Sequence, residues 1–199
     1  MKILLIGASG TIGQAISKAL SSEHEVIAAN YSGEGFTVDI GNQASISALL
    51  EQVGKVDAIV SSAGLANFAP LTELTNADYE LALNNKLMGQ INLIRLGKEY
   101  LNEGGSVTLT SGVLSREPMP GSAVISMANG ALESYVKAAA LELDNIRFNV
   151  VAPIFVKETM AMMGMDTDGG LSAQDTAKAY VAAITGSMHG KTLDAPDYV

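Results

Sequence analysis

Cysteine is absent from the 199 residues. That excludes disulfide staples, thiolate catalysis and cysteine-ligated zinc together. Tryptophan is absent as well, and aromatic residues make up 5% of the chain, so a platform for stacking sugars or bases is not expected. Basic residues are few: 12 Lys and Arg stand against 21 Asp and Glu, a formal net charge of -9. Duplex nucleic acid is a poor partner for such a surface, because binding there rests on neutralising phosphates. No apolar run is long enough to span a bilayer. Met1-Lys2 leads straight into an apolar strand pattern, with no signal peptide in view. The expectation is a cytoplasmic protein that binds neither membrane nor nucleic acid. His24 and His189 have no metal-ligand spacing around them, so they read as surface residues and no metal site is expected. No G-x-S-x-G elbow is present, which removes support for a serine hydrolase.

What is present begins at the first residue. MKILLI is an apolar run that can bury on both faces, as a central parallel strand does. Gly7, Ser9, Gly10, Thr11, Ile12 and Gly13 follow at once, and a helix pattern with Ala15, Ile16, Ala19 and Leu20 comes next. A strand, a glycine turn and a helix in that order let backbone N–H groups approach a phosphate at a helix N-terminus. The spacing is G-x-x-G-x-x-G. A bound dinucleotide is the sharp reading and a plain glycine-rich connection the bland one.

The rest of the chain alternates strand and helix signals. Strands are expected at Glu25 to Asn30, Phe36 to Ile40, Val56 to Gly64, Ser106 to Gly112, Phe148 to Pro153 and Thr192-Leu193. Helices are expected from Asn42 or Ser45 through Val53, over Thr72 to Tyr79, Asn84 to Leu101 and Ser122 to Leu143, and from Ser172 or Asp175 to Ile184. This alternation implies a Rossmann-type three-layer α/β sandwich around a mostly or wholly parallel sheet of about seven strands. The length suits one domain over residues 1–199. Ligands in such sheets bind beyond the carboxyl ends of the strands. That places Gly7 to Gly13, Asn30, Tyr31, Ser32, Asp39, Ile40, Ser61 to Gly64, Ser111, and Pro153 to Val156 around one crevice.

With these residues in place, the chain resembles the short-chain dehydrogenase/reductase superfamily over nearly its whole length. Gly7 to Gly13 match its glycine turn, and Asp39-Ile40 match the acidic-apolar pair that holds adenine. Ser61, Ser62, Ala63 and Gly64 stand at its Asn-Asn-Ala-Gly turn, and Thr110-Ser111 at the strand end that carries its catalytic serine. Arg147-Phe148-Asn149 through Pro153 match its R-x-N…P-G segment, and Thr159 the threonine beyond it. The resemblance implies an NAD(P)-binding oxidoreductase that assembles as a homodimer or homotetramer through its long helices. NAD-preferring members carry an acid after the second strand. Asn30, Tyr31 and Ser32 occupy that place here, which favours NADP(H) over NAD, with Ser9 and Ser32 as candidate phosphate donors.

The departures sit at the chemistry. The family's Tyr-x-x-x-Lys pair falls at Ile125 and Asn129, and no other tyrosine has a lysine four residues on. The asparagine three residues before Gly89 is Lys86, and the glycine after Pro153 is Ile154. Lysine and asparagine are thus present in exchanged places, which makes Lys86, Ser111 and Asn129 the candidate catalytic set. Unrelated surface substitutions after a loss of catalysis are the plain alternative. Two functions remain open: an oxidoreductase with a non-standard site for an unidentified substrate, and an inactive cofactor-binding sensor or a regulatory or structural protein. Met160 to Met165 fall where the family carries a substrate lid. Arg116 and Glu117 either meet a substrate or are simply solvated.

Overall fold

The computed structural model describes residues 1–199. Strand β1 (Lys2–Ile6) lies at the centre of the sheet, paired in parallel with β2 (Glu25–Asn30) on one side and β4 (Val56–Ser61) on the other. Its residues alternate with the period of two that a strand imposes. Ile3 and Leu5 enter one apolar cluster, Leu4 and Ile6 the other, and all four are essentially inaccessible. Seven strands in the order β3-β2-β1-β4-β5-β6-β7 complete a wholly parallel sheet. They include β3 (Phe36–Thr37), β5 (Leu101–Thr110), β6 (Arg147–Ala152) and β7 (Lys191–Asp194).

Helices cover both faces. Helices α1 (Thr11–Leu20) and α7 (Ala173–Thr185) bury Ile16, Leu20, Tyr180 and Ile184 with Ile3 and Leu5. Helices α2 (Gln43–Val53), α4 (Met88–Gly97) and α5 (Ala123–Ala139) bury Ile46, Leu50, Leu93, Leu132 and Val136 with Leu4 and Ile6. Each fully buried Leu or Ile contributes roughly 1.5–3 kcal/mol, so the two layers fix where β1 ends and the glycine turn begins. Two short helices, α3 (Asn76–Leu81) and α6 (Lys157–Met162), flank the crevice. Between β1 and β4 the strand order reverses direction, which opens that crevice at the carboxyl ends.

Several element boundaries differ from the sequence reading, each for a local reason. The β3 ladder ends at Thr37, because Asp39 turns the chain: its Oδ1 accepts from Gly41 N at 2.9 Å. Helix α3 starts at Asn76 rather than Thr72, where Thr75 and Asp78 form a reciprocal capping box. The helix expected through Leu101 is broken into a π-helical stretch (Ala82–Leu87), α4 and a 3₁₀ turn (Lys98–Tyr100), and Leu101 already pairs with Val56 in the sheet. Helix α5 ends at Ala139, four residues short of Leu143.

Candidate functional site

The first half of the site is a cleft of about 420 Å³ at the end of β1. Its walls include Gly7, Ser9, Gly10, Tyr31, Ile40 and Ala63. Two glycines are required here. Gly7 has φ of +83°, and a Cβ on Gly13 would stand 2.0 Å from the Gly7 carbonyl oxygen. The turn therefore folds tightly back onto the start of α1, whose first-turn N–H groups have no partner within the helix. Such a concave end of a helix suits a phosphate, so the residues present fit a dinucleotide.

The other residues expected in this half divide by role. Asn30 is spent on the turn, its Oδ1 accepting from Ser9 N at 2.8 Å. Tyr31 lines the cleft and is 76% exposed, whereas Ser32 is exposed beyond its walls. Asp39 borders a neighbouring hollow with Asn84 and Asn85. Thr11 opens α1, and Ser61 is fully buried with its Oγ at 3.4 Å from both Ala63 N and Ala63 O. Ser62 and Gly64 line the cleft. Ser62 Oγ donates toward the carbonyls of Ile6 and Gly7 at 3.2 Å, tying the second glycine-bearing turn to the first. Asn85, not singled out from the sequence, accepts from Leu65 N at 2.8 Å and closes the cleft.

A second cleft of about 340 Å³ adjoins it beyond Ile12. Lys86, Thr110, Ser111, Gly112, Pro153 and Ile154 line it. Lys86 reaches this cleft from the π-helical stretch, a distortion frequent at functional sites because it shifts side chains off the regular helical register. Its backbone carbonyl accepts from Gln90 Nε2 at 3.0 Å, and the same amide bridges both backbone groups of Thr110 at 2.8 Å. A Cβ on Gly64 would lie 3.2 Å from Lys86 Cγ, so the lysine stem runs between the two clefts. Lys86 is 9% exposed, and burial alone, with no acidic partner, holds its ammonium down from 10.5 to about 8.

Asn129 is 2% exposed on α5. Its Nδ2 lies 3.4 Å from the Gly112 carbonyl oxygen, and its Oδ1 has no partner. Asn129 thus stands behind Gly112, which lines the cleft with Lys86, and no direct hydrogen bond joins the exchanged pair. Ile125 is half-buried and is not among the residues that line the cleft.

Ser111 carries a surprise. Its Oγ donates to Glu133 Oε1 at 2.9 Å, and the same oxygen accepts from Ser115 Oγ at 2.7 Å. Arg116 pairs with Glu133 Oε2 at 2.7 Å and with Asp194. One buried carboxylate therefore gathers the serine, the loop after β5 and the end of β7. A serine has one proton, so Ser111 meets a cleft ligand with its lone pairs. Glu133 was not singled out from the sequence. Its signal was there: it lies four residues after Asn129, a charge on the same buried helix face.

Two further placements differ from the sequence reading. His189 is not a free surface residue: its Nδ1 accepts from Phe148 N at 3.1 Å and its Nε2 lies 2.9 Å from the Ala140 carbonyl. His24 is half-buried, with Nδ1 enclosed and unpartnered. No group of three or more His, Cys, Asp or Glu could hold a metal ion, and no helix is long and apolar enough to cross a membrane. Thr159 lines the second cleft, and Met160 lies in an adjoining cavity of about 280 Å³ with Met119, Phe155, Glu117 and Asp168. Met162 and Met163 are exposed.

A doubly wound parallel sheet with a glycine turn at its switch point defines a dinucleotide-binding α/β protein. Comparison with known proteins narrows the class. Residues 7–187 match the family model described as enoyl-(acyl carrier protein) reductase. An uncharacterised oxidoreductase of Methylorubrum extorquens is 30% identical over 86% of this chain and 81% of its own. The crystal structure of the protein lin1944 from Listeria innocua superposes with a TM-score of 0.93 at 43% identity, covering 98% of both chains. A small-chain dehydrogenase solved in complex with NADPH gives 0.87 at 30% identity, over 98% of this chain and 95% of that one. The chain belongs to the short-chain dehydrogenase/reductase superfamily. These likenesses support an NAD(P)-binding oxidoreductase; they identify no substrate.

Proposed function

We propose that residues 1–199 form one NADP(H)-binding domain that interconverts a carbonyl compound and its alcohol, with Lys86 in place of the family's tyrosine. The observation that carries this reading is the buried ammonium of Lys86, which has no acidic partner and faces the cleft that Ser111 also lines. The adenosine half of the cofactor belongs in the first cleft, with its phosphates over Gly7 to Gly13. Lys86, Ser111 and Ile154 of the second cleft would hold the nicotinamide half, which would supply or take a hydride there.

The chain's own groups supply the rest. Lys86 polarises the substrate oxygen and gives it a proton in the direction of reduction. Ser111, its proton held by Glu133, accepts from the resulting hydroxyl. Asn129 holds the Gly112 backbone from behind. Ile154 and Phe155 give the cleft an apolar wall. Ser9 and Ser32 are the candidate donors to a ribose phosphate, and no acid at Asn30 repels one. The family is typically oligomeric, and we place this chain as a cytoplasmic homodimer or homotetramer.

Calorimetric titration with NADPH and NADH, followed by NADPH oxidation over a panel of aldehydes and ketones, tests the reading. Tighter binding of NADPH, and turnover that Lys86→Met removes while NADPH binding persists, are expected. Reduction should fall as pH rises through about 8, where Lys86 loses its proton. NADH bound at least as tightly would overturn the preference. A second reading, a cofactor-holding sensor without turnover, is favoured by Ile125 in the tyrosine position. NADPH binding with no carbonyl reduced across the panel would support it.

A further inference from the structure

Lys86 combines four features that surface lysines lack. Its stem is wedged against Gly64, its carbonyl is held by Gln90, the residue lines a cleft, and no carboxylate pairs with it. Burial also leaves about half of it as neutral amine near pH 8, against under 1% for an ordinary lysine. A desolvated amine held in an apolar cavity is an activated nucleophile. Val113, Leu114, Ile154 and Phe155 line this cleft and continue into the adjoining cavity, so an apolar body has room beyond the amine. Glu117 and Asp168 border that cavity and disfavour an anionic ligand.

The geometry points to Lys86 as a covalent carbonyl-capture site that forms a reversible imine with a neutral, apolar aldehyde or ketone. The amine nitrogen attacks the carbonyl carbon, the C–O bond breaks, and the oxygen leaves as water with two protons. No oxidant or reductant is consumed. The site is the one proposed for proton transfer, but the inference does not depend on hydride transfer, because it concerns the cofactor-free protein.

The probe is butanal followed by a short borohydride quench, which traps the standing imine as an N-butyl amine, in the absence of NADP(H). Peptide mapping by mass spectrometry should find Lys86 butylated at pH 8 roughly tenfold more than exposed Lys18, Lys98 or Lys137. This is a conservative share of its roughly hundredfold larger neutral fraction. The N-terminal amine reacts as well and is separated by its peptide. The imine trapped at Lys86 should level off above pH 8, while that at the surface lysines goes on rising toward pH 10. Lys86→Met should lose that adduct and keep the others. Modification at the surface-lysine level, or a Lys86 level that still climbs to pH 10, would overturn the inference. NADPH binding is read separately, so either proposal can fail alone.

Discussion

At the scale of single residues, Lys86 and Glu133 show opposite ways of keeping a charge inside. Glu133 receives two hydroxyl protons and a guanidinium, so its buried carboxylate is matched. Lys86 has no such match, and burial costs it. Its folded pKa lies below its unfolded value, so the unfolded chain binds more protons between about pH 8 and 10.5. Stability then rises with pH through that window. Below it, the drop to about 8 corresponds to a burden on the order of 3 kcal/mol. Lys86→Met should therefore be more stable than the parent at pH 7, by an amount that shrinks as pH approaches 10.5. Urea denaturation at both pH values measures it; equal stability throughout would mean that the ammonium is solvated.

At the scale of elements, the site depends on turns and caps more than on regular structure. A Cβ at Gly13 has no room beside the Gly7 carbonyl. Gly13→Ala should push α1 away from β1, weaken NADPH binding at least roughly tenfold, and lower stability by about 1–3 kcal/mol. Calorimetry and urea denaturation check the two effects. On the other wall, Thr75 and Asp78 cap α3, and hydrogen bonds from Thr75 and Asn67 hold the Asp78 carboxyl down to about 2. Thr75→Ala should cost about 1 kcal/mol and return that carboxyl toward the ordinary range in an NMR titration.

The same scale shows what was legible in the sequence. The strand, glycine turn and helix were readable because their signals are local: an apolar run, three glycines and a 3.6-residue period. The positions of Lys86 and Asn129 came from counting along the family's motifs, but that Asn129 stands behind Gly112 instead of lining the cleft with Lys86 was not readable. The π-helical stretch was not, because nothing in ALNNKL departs from ordinary helix chemistry. Gln90, just beyond it, ties the Lys86 carbonyl to the end of β5, twenty residues along the chain. The Ser111 to Glu133 bond was hidden for the same reason: it joins a strand end to a helix that only the folded sheet brings together.

At the scale of the whole molecule, the remaining question is what covers the outer face of α5. Its inner side packs Leu132 and Val136 on the sheet. Its outer side presents Met127, Gly130, Ser134 and Ala138 at helical spacing, and a Cβ on Gly130 would meet nothing within 4 Å. Small side chains let two helices approach closely. With the half-buried Ala131, Ala139 and Ala140, this face suits the pairing expected of α4 and α5. Gly130→Arg separates the two scales. Within one chain the side chain has open space, and arginine is about 1 kcal/mol better than glycine inside a helix, so the fold should hold or gain. Between two chains, a guanidinium would stand where a helix must lie. Sedimentation velocity at micromolar concentration should therefore show a dimer or tetramer for the parent and a smaller species for Gly130→Arg, with Tm unchanged or higher. A parent that sediments as a monomer would exclude assembly through this face, and an undissociated variant would move the interface elsewhere.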